Sequence, residues 1–148
     1  MKTSAHYPLS WIATVTLGTI LLAATPRLAA QTPYQPKFKG DPAHSDAEAV
    51  ALGYIRTFER AQASYKTKNG KYASSLMDLV HVGSFTRRMA EPQHGDYTVN
   101  FHPRKDGYEL TMTPKAQDAD HRSFYVNEKG VIHADDQKQA TEDSSPLK

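Results

Sequence analysis

The sequence contains no cysteine among its 148 residues. This absence excludes a disulfide scaffold, a zinc site built from thiolates, a cysteine-ligated iron–sulfur cluster and a cysteine nucleophile. It also excludes a bacterial lipoprotein, because the lipid of such a protein is attached to a cysteine. The G-x-S-x-G, H-E-x-x-H and glycine-rich phosphate-binding motifs are absent as well. We therefore expect no enzymatic activity from this chain.

A surplus of positive charge is missing from most of the chain. Eighteen Lys and Arg face sixteen Asp and Glu, and two of these bases, Lys2 and Arg27, lie in the first thirty residues, which hold no acid. The rest of the chain therefore carries sixteen bases and sixteen acids. Binding to nucleic acid depends on a concentrated positive field that displaces counterions from phosphates. We expect no nucleic-acid partner.

Residues 1–30 have the pattern of a secretory signal peptide. A basic start is followed by a mainly apolar run from Trp11 to Ala24 and by the small residues Ala29 and Ala30. The run of about 14 residues is shorter than the roughly 20 that a transmembrane helix needs. We expect cleavage after Ala30 and a periplasmic or secreted protein. If the segment is retained instead, the chain is anchored in the inner membrane.

The rest of the chain divides into three parts by composition. Residues 31–44 contain three prolines and one glycine without an apolar period, which predicts an extended linker. Residues 135–148 have almost no apolar content, which predicts a disordered polar tail. Residues 45–134 remain as the one folded domain that a chain of this length can build.

A long amphipathic helix is predicted to begin at Ser45, because Ser45-Asp46-Ala47-Glu48 has the spacing of a capping box. Glycine in Asn69-Gly70 predicts its end, since glycine adopts the left-handed cap conformation. A short second helix is predicted over Leu76–Val80 with Ser75 as its cap. The apolar residues of the long helix recur at three- and four-residue steps, at Ala47, Val50, Ala51, Tyr54, Ile55, Phe58, Ala61 and Tyr65.

Four antiparallel strands are predicted after these helices. Alternating apolar and polar residues place the first two in 97–102 and 108–113, joined by a turn that contains Asp106-Gly107. The third and fourth are predicted in 123–126 and 131–133. The predicted fold is therefore α+β, with a long and a short helix packed on a roughly four-stranded antiparallel meander. The predicted core contains Val50, Tyr54, Ile55, Phe58, Ala61, Tyr65, Tyr72, Leu76, Leu79, Tyr97, Val99, Tyr108, Leu110, Phe124, Val126 and Val131.

Three stretches carry a resemblance to a known family. They read AEAVALGYIRTFERAQASYKTKNGKYASSLMDLV, DGYELTMTP and RSFYVNEKGVIH. In this order they resemble the globular head of type IV pilins and type II secretion pseudopilins, over the segment from Ala47 to His133. The resemblance implies a long helix packed on an antiparallel sheet and a structural or protein-binding role. The glycine-ended leader and the glutamate-containing anchor helix of that family are not found before Gly40.

Asp118, Asp120 and His121 are the candidate metal ligands. Some pseudopilins bind calcium in a loop of the sheet region, and the resemblance implies a comparable loop here. Carboxylate oxygens suit calcium, but EF-hand spacing is absent. Zinc or copper would instead use histidines on neighbouring hairpins with these acids, although no metal-ligand spacing identifies them. A solvated loop is the alternative. The histidines considered are His94, His102, His121 and His133.

Tyr125, Val131 and His133 are the candidate contacts for a partner protein. Tyr125 alternates away from two apolar neighbours, and 131–133 is predicted to form an open sheet edge that can accept another strand. We therefore expect an exported, non-catalytic domain that binds a protein or associates with itself. A membrane-anchored pseudopilin-like subunit is the first alternative. A small metal-binding secreted protein, or a metal-dependent hydrolase, is the second.

Overall fold

The computed structural model describes residues 33–147. This part has an α+β fold in which one α-helix packs against a six-stranded antiparallel sheet, which confirms the predicted fold class. The predicted signal peptide, residues 1–30, lies outside the described residues. No helix within 33–147 is long and apolar enough to span a membrane. The helix is α1 (Asp46–Asn69), and the strands are β1 (Gln93–His94), β2 (Tyr97–Pro103), β3 (Tyr108–Pro114), β4 (Ser123–Asn127), β5 (His133–Asp135) and β6 (Ser145–Pro146).

Both ends of α1 are capped as the sequence predicts. The Ser45 hydroxyl accepts a hydrogen bond from the backbone N–H of Glu48 at 3.2 Å. At the other end Gly70 has a φ of 74°, and its N–H donates to the Lys66 carbonyl at 2.8 Å. The short helix predicted over Leu76–Val80 is reduced to a single 3₁₀ turn, Met77–Leu79, and a second 3₁₀ turn covers Arg87–Ala90.

The sheet is a meander in which each strand pairs with the next, in the order β1 to β6. The prediction of four strands is wrong in number, because the two-residue strands β1 and β6 extend the sheet at its edges. The fourth predicted strand is shifted and lies at His133–Asp135. The register places Leu110 of β3 opposite Phe101 of β2 and Val126 of β4, so the apolar side chains share the face that packs on α1.

The core between α1 and the sheet is aromatic. Phe58 on α1 makes an edge-to-face contact with Tyr108 at a ring distance of 5.1 Å, and Tyr97 stacks on Phe124 at 5.8 Å. Such pairs add about 0.5–1.5 kcal/mol each to the gain from burial. Eleven predicted core residues are buried, namely Tyr54, Ile55, Phe58, Ala61, Leu79, Tyr97, Val99, Tyr108, Leu110, Phe124 and Val126.

The core prediction is wrong for Val50 and Val131, which are 59% and 44% exposed. Val50 lies on the flank of α1 beside the short strand β1, and Val131 lies in the irregular segment between the 128–129 turn and β5. Tyr65, Tyr72 and Leu76 are only partly buried against the core. The sequence reasoning missed Leu52, Phe85 and Met112, each of which is at most 1% exposed.

Residues 136–147, here called the carboxyl-terminal strap, are ordered, which corrects the prediction of a disordered tail. Ser145 pairs with Ala134 of β5, and Ala140 is 1% exposed. The Ser123 hydroxyl accepts a hydrogen bond from the Ala140 N–H at 2.7 Å and donates to the Lys138 carbonyl at 2.6 Å. Hydrogen bonds from buried polar side chains thus hold a segment whose apolar content is too low to predict packing.

Residues 33–44, here called the amino-terminal arm, lie against the domain instead of forming a free linker. Tyr34 packs partly against the core, and its hydroxyl donates to Asp41 Oδ2 at 2.5 Å. Ala43 is 6% exposed, and Lys37 Nζ lies 3.2 Å from Asp46 Oδ1 on α1. The linker prediction is correct about the lack of regular structure but misses this docking.

Candidate interaction surface

The predicted metal loop is held by its own hydrogen bonds. Asp118 Oδ1 accepts from His121 Nδ1 at 2.9 Å and from the Asp120 N–H at 2.8 Å. The hydrogen bond from His121 lowers the pKa of the Asp118 carboxyl. In the part of the chain that the structure describes, no three His, Asp or Glu side chains lie close enough to hold a metal ion. The structure therefore does not assemble Asp118, Asp120 and His121 into the predicted calcium or zinc site.

The same loop also packs on the start of α1. Ser45 Oγ donates to the Asp120 carbonyl at 2.5 Å, and His44 Nδ1 lies 2.8 Å from the Ala119 carbonyl. These contacts use the backbone of the loop and leave the Asp120 carboxylate out of the arrangement. The backbone of the loop thus fixes the amino-terminal end of α1, and the Asp118 carboxylate stabilises the loop itself.

Tyr125 is buried, which corrects the prediction that it is an exposed contact. It is 5% exposed, and its hydroxyl donates to Glu109 Oε1 at 2.9 Å. Burial and this hydrogen bond raise the pKa of Tyr125 to about 12. Its ring also contacts the His133 ring at 6.1 Å. The carboxyl-terminal strap crosses this end of β4, as the bonds of Ser123 show, so the outer face here is covered.

The predicted open edge at 131–133 is closed by β6. His133 pairs with Pro146, and its Nδ1 lies 2.6 Å from the Ser144 carbonyl. The Leu147 N–H donates to the Ile132 carbonyl at 2.8 Å. Val131 remains 44% exposed, but the backbone beside it already has a partner strand. Strand addition at His133 therefore requires displacement of the chain's own strap.

Glu48 and Arg122 form a buried ion pair that sequence reasoning did not predict. Glu48 is fully buried, Arg122 Nε donates to Oε1 at 3.0 Å, and Nη2 donates to Oε2 at 2.7 Å. The backbone N–H groups of His44 and Arg122 also donate to this carboxylate, each at 2.8 Å. Arg122 Nη2 further donates to the Pro42 carbonyl at 2.6 Å. The pair thereby joins the arm, α1 and the loop before β4.

A polar cleft of about 840 Å³ lies next to this pair, between the arm and the carboxyl-terminal strap. Three aspartates line it, and one of them, Asp135, accepts hydrogen bonds from the N–H groups of Gln137 and Lys138 and from the Ser144 hydroxyl. These bonds lower the pKa of the Asp135 carboxyl. A base that removes protons near neutral pH needs the opposite shift. The cleft therefore lacks the features of a reaction centre at Asp135.

Two strands lie at the edges of the sheet, β6 at one end of the order and β1 at the other. The edge at β1 is the one that lies next to an apolar groove. Beside it a shallow groove of about 250 Å³ is lined by Ala47 and Val50 of α1 and by His94 and Gly95, with Asp46 and Asp96 at its rim. The His94 ring lies 4.5 Å from the Tyr54 ring, whose hydroxyl donates to the Met89 carbonyl at 2.8 Å. The floor of the groove is thus fixed by packing and hydrogen bonding.

An exposed strand edge next to an apolar groove suits recognition of an extended peptide. The edge supplies backbone hydrogen bonds, and the groove accepts a side chain of the added segment. We call β1 together with Ala47, Val50 and Gly95 the β1 surface. Sequence reasoning missed it, because a two-residue strand has no alternating pattern and Val50 fits the apolar stripe of α1. The exposure of Val50 depends on how α1 packs against the sheet, which the sequence pattern of the helix does not determine.

Glu59 on α1 is a half-buried carboxylate. Among the described residues it forms no ion pair, and burial raises the pKa of its carboxyl, an effect that nearby Arg56 partly offsets. Half-buried carboxylates without a partner cost stability when ionised. The ionised Glu59 carboxylate therefore lowers the stability of the domain.

Comparisons with protein-family models, with curated proteins and with solved structures find no significant match to this chain. The resemblance to pilin heads therefore depends on the three sequence stretches that carry it. Any function has to be inferred from the residues of this chain and their geometry.

Proposed function

We propose that this chain is an exported, non-catalytic domain of the pilin-head type that binds a protein partner at the β1 surface. The observation that carries the proposal is the open edge of β1 beside the groove that contains Val50, which is 59% exposed. The occupant is an extended partner segment with one apolar side chain. Asp46 and Asp96 line the groove and favour a basic residue next to that side chain. Such a residue would compete with the lysines that pair with them, Lys37 at 3.2 Å and Lys115 at 3.9 Å.

A binding role is supported by how the ionisable groups are used. Glu48 and Arg122 neutralise each other, and Asp118 and Asp135 accept hydrogen bonds that lower their pKa values. General bases and nucleophiles need a group that is free to react and has its pKa near the working pH. These groups have structural partners, which favours recognition over catalysis.

Export is supported by the sequence of residues 1–30, and the pilin-head type is supported by the order of a helix followed by an antiparallel meander. The alternative is a membrane-anchored pseudopilin-like subunit, which the apolar run from Trp11 to Ala24 favours if it is retained. The exported domain and the anchored subunit have the same globular head and differ in whether the amino-terminal segment is cleaved.

The first experiment measures the intact mass of the protein in the periplasmic and membrane fractions of its host. A soluble-fraction mass that begins at Gln31 supports the exported domain. A full-length mass confined to the membrane contradicts it and supports the anchored subunit.

The second experiment places a photo-reactive amino acid at Val50 in the host. Met77, which is 54% exposed on another part of the surface, is the matched control. Under the proposal, Val50 gives a discrete cross-linked protein and Met77 does not. Cross-linking that is equal at both positions, or absent at Val50, contradicts a partner site at the β1 surface.

A further inference from the structure

The amino-terminal arm has two parts that are held differently. Its inner part, 42–44, is tied to the buried ion pair, because the Pro42 carbonyl accepts from Arg122 Nη2 at 2.6 Å and the His44 N–H donates to Glu48 Oε2 at 2.8 Å. Ala43 between them is 6% exposed. This inner part cannot leave the domain without breaking contacts to a fully buried carboxylate.

The outer part, residues 33–39, is held mainly by one half-buried carboxylate, that of Asp41. Asp41 Oδ2 accepts from the Tyr34 hydroxyl at 2.5 Å and from the Lys37 N–H at 3.0 Å, and Asp41 Oδ1 accepts from the Ala43 N–H at 3.2 Å. The ion pair of Lys37 with Asp46 is exposed, and Phe38 is 50% exposed. The Arg56 guanidinium of α1 lies over the Phe38 ring at 5.6 Å, a second weak contact of this part with the helix. Tyr34 is the one residue of this part that packs against the core.

A hinge lies between the two parts. Gly40 has a φ of 80°, in the left-handed region that side-chain-bearing residues rarely adopt, and a Cβ added there would meet nothing within 4 Å. The glycine is therefore required by backbone conformation and not by lack of space. The Asp41 N–H donates to the Phe38 carbonyl at 3.1 Å across this turn.

We propose that residues 33–39 form a releasable clasp, closed by Asp41 and hinged at Gly40, that opens while the rest of the domain stays folded. Segments with few buried apolar contacts and solvent-exposed hydrogen bonds open at lower free energy than the whole domain. Seven released residues extend over at most about 25 Å. The clasp thereby gives the domain two tether lengths relative to whatever precedes residue 33. Opening of the clasp does not depend on whether the amino-terminal segment is cleaved or retained, whereas the change in tether length has a consequence only when it is retained.

Limited trypsin digestion of the protein as recovered from its host tests the clasp. Lys37 and Lys39 are cleavage sites within it, and mass spectrometry follows each cut separately from cuts in α1. Asp41→Ala removes the acceptor of all three bonds and should speed cleavage at Lys37 and Lys39 about tenfold. The midpoint of urea unfolding, followed by circular dichroism, should stay nearly unchanged.

Asp78→Ala is the matched control. Asp78 Oδ2 accepts from the Ser74 N–H at 3.1 Å, the Ser74 hydroxyl at 2.9 Å and the Ser75 N–H at 2.9 Å, far from the arm in sequence. This variant also loses three hydrogen bonds to one carboxylate, all of them exposed, and should leave cleavage at Lys37 and Lys39 unchanged. A second variant, Gly40→Ala, strains only the closed turn and should also speed cleavage.

Two results would overturn the clasp. One is cleavage of the wild-type arm as fast as that of a free peptide of the same sequence, which means that the clasp is never closed. The other is cleavage that follows global unfolding in urea and does not respond to Asp41→Ala or Gly40→Ala. In that case the arm is an inseparable part of the domain. Neither result depends on whether a partner binds the β1 surface.

Discussion

Replacement of Arg122 by methionine tests how strongly the buried ion pair stabilises the domain. The variant keeps the apolar stem but removes two hydrogen bonds to Glu48 and one to the Pro42 carbonyl. The Glu48 carboxylate is fully buried and would retain only the N–H donors of His44 and residue 122. Removal of one partner of a buried pair costs about 3–5 kcal/mol. We expect the free energy of unfolding to fall by about 4 kcal/mol.

The assay is urea unfolding followed by circular dichroism for the wild type, Arg122→Met, Glu48→Gln and the double variant. The double variant should be more stable than Arg122→Met, because it buries a neutral amide in place of an unpaired charge. Arg104→Met is the control. Its pair with Glu109 lies at the surface, with 59% of the Arg104 side chain exposed, and should cost less than about 1 kcal/mol.

Two outcomes would refute this reasoning. If Arg122→Met lowers the free energy of unfolding by less than about 1 kcal/mol, the buried ion pair stabilises the domain no more than a surface ion pair does. A double variant that is no more stable than Arg122→Met would show that the unpaired charge is not the cause. If Arg122→Met is too unstable to fold, the double variant still tests the reasoning, because it should recover a cooperative unfolding transition.

Three further predictions concern other parts of the domain. Glu59→Gln should stabilise the domain near pH 7 but not at about pH 3.5, as measured by urea midpoints at both values. Burial raises the pKa of the Glu59 carboxyl in the folded state, so the wild type loses stability as the pH rises through that pKa. Unequal stability of the two proteins at the lower pH would contradict this cause. Ser123→Ala leaves the buried Ala140 N–H without an acceptor and should cost about 1–3 kcal/mol, with faster hydrogen exchange at Ala140. Calcium or zinc in excess should not raise the melting temperature, because residues 33–147 contain no group of three ligands; a saturable rise would show a site in the chain.

The parts of the fold that sequence reasoning predicts well are those fixed by local signals. The cap of α1 depends on Ser45 and Glu48, which are three residues apart, and its end depends on Gly70. The β2–β3 hairpin follows from alternation on both sides of a short turn, and the structure pairs Phe101 with Leu110 across it. Each of these signals involves residues that are close in sequence, so one stretch of chain contains the whole determinant.

The parts that were missed depend on contacts between distant residues. Glu48 was identified as a capping residue, but its partner Arg122 is 74 positions away, and no local pattern joins them. The alternation of apolar and polar residues in β4 predicts that Tyr125 is exposed, but it is 5% exposed in the structure. The polar strap covers this part of β4, where it is bound through the Ser123 hydroxyl. Composition fails here because the strap is held mainly by hydrogen bonds, with only Ala140 and Leu147 packed against the domain.

Asp46 contacts the clasp and also lines the groove of the β1 surface, and this predicts that the two are coupled. Asp46 lies at the rim of the groove and forms the exposed ion pair with Lys37 of the arm at 3.2 Å. A basic partner residue that pairs with Asp46 must replace Lys37, so partner binding and release of the clasp favour each other to the same extent.

The size of this coupling is limited by the pair itself. An exposed ion pair contributes at most about 1 kcal/mol, which corresponds to about a fivefold change in either equilibrium. Lys37→Met should therefore tighten partner binding by no more than about fivefold, measured by titration once the partner cross-linked at Val50 is identified. A tenfold or larger effect, or weaker binding, would show that the arm touches the partner by another route.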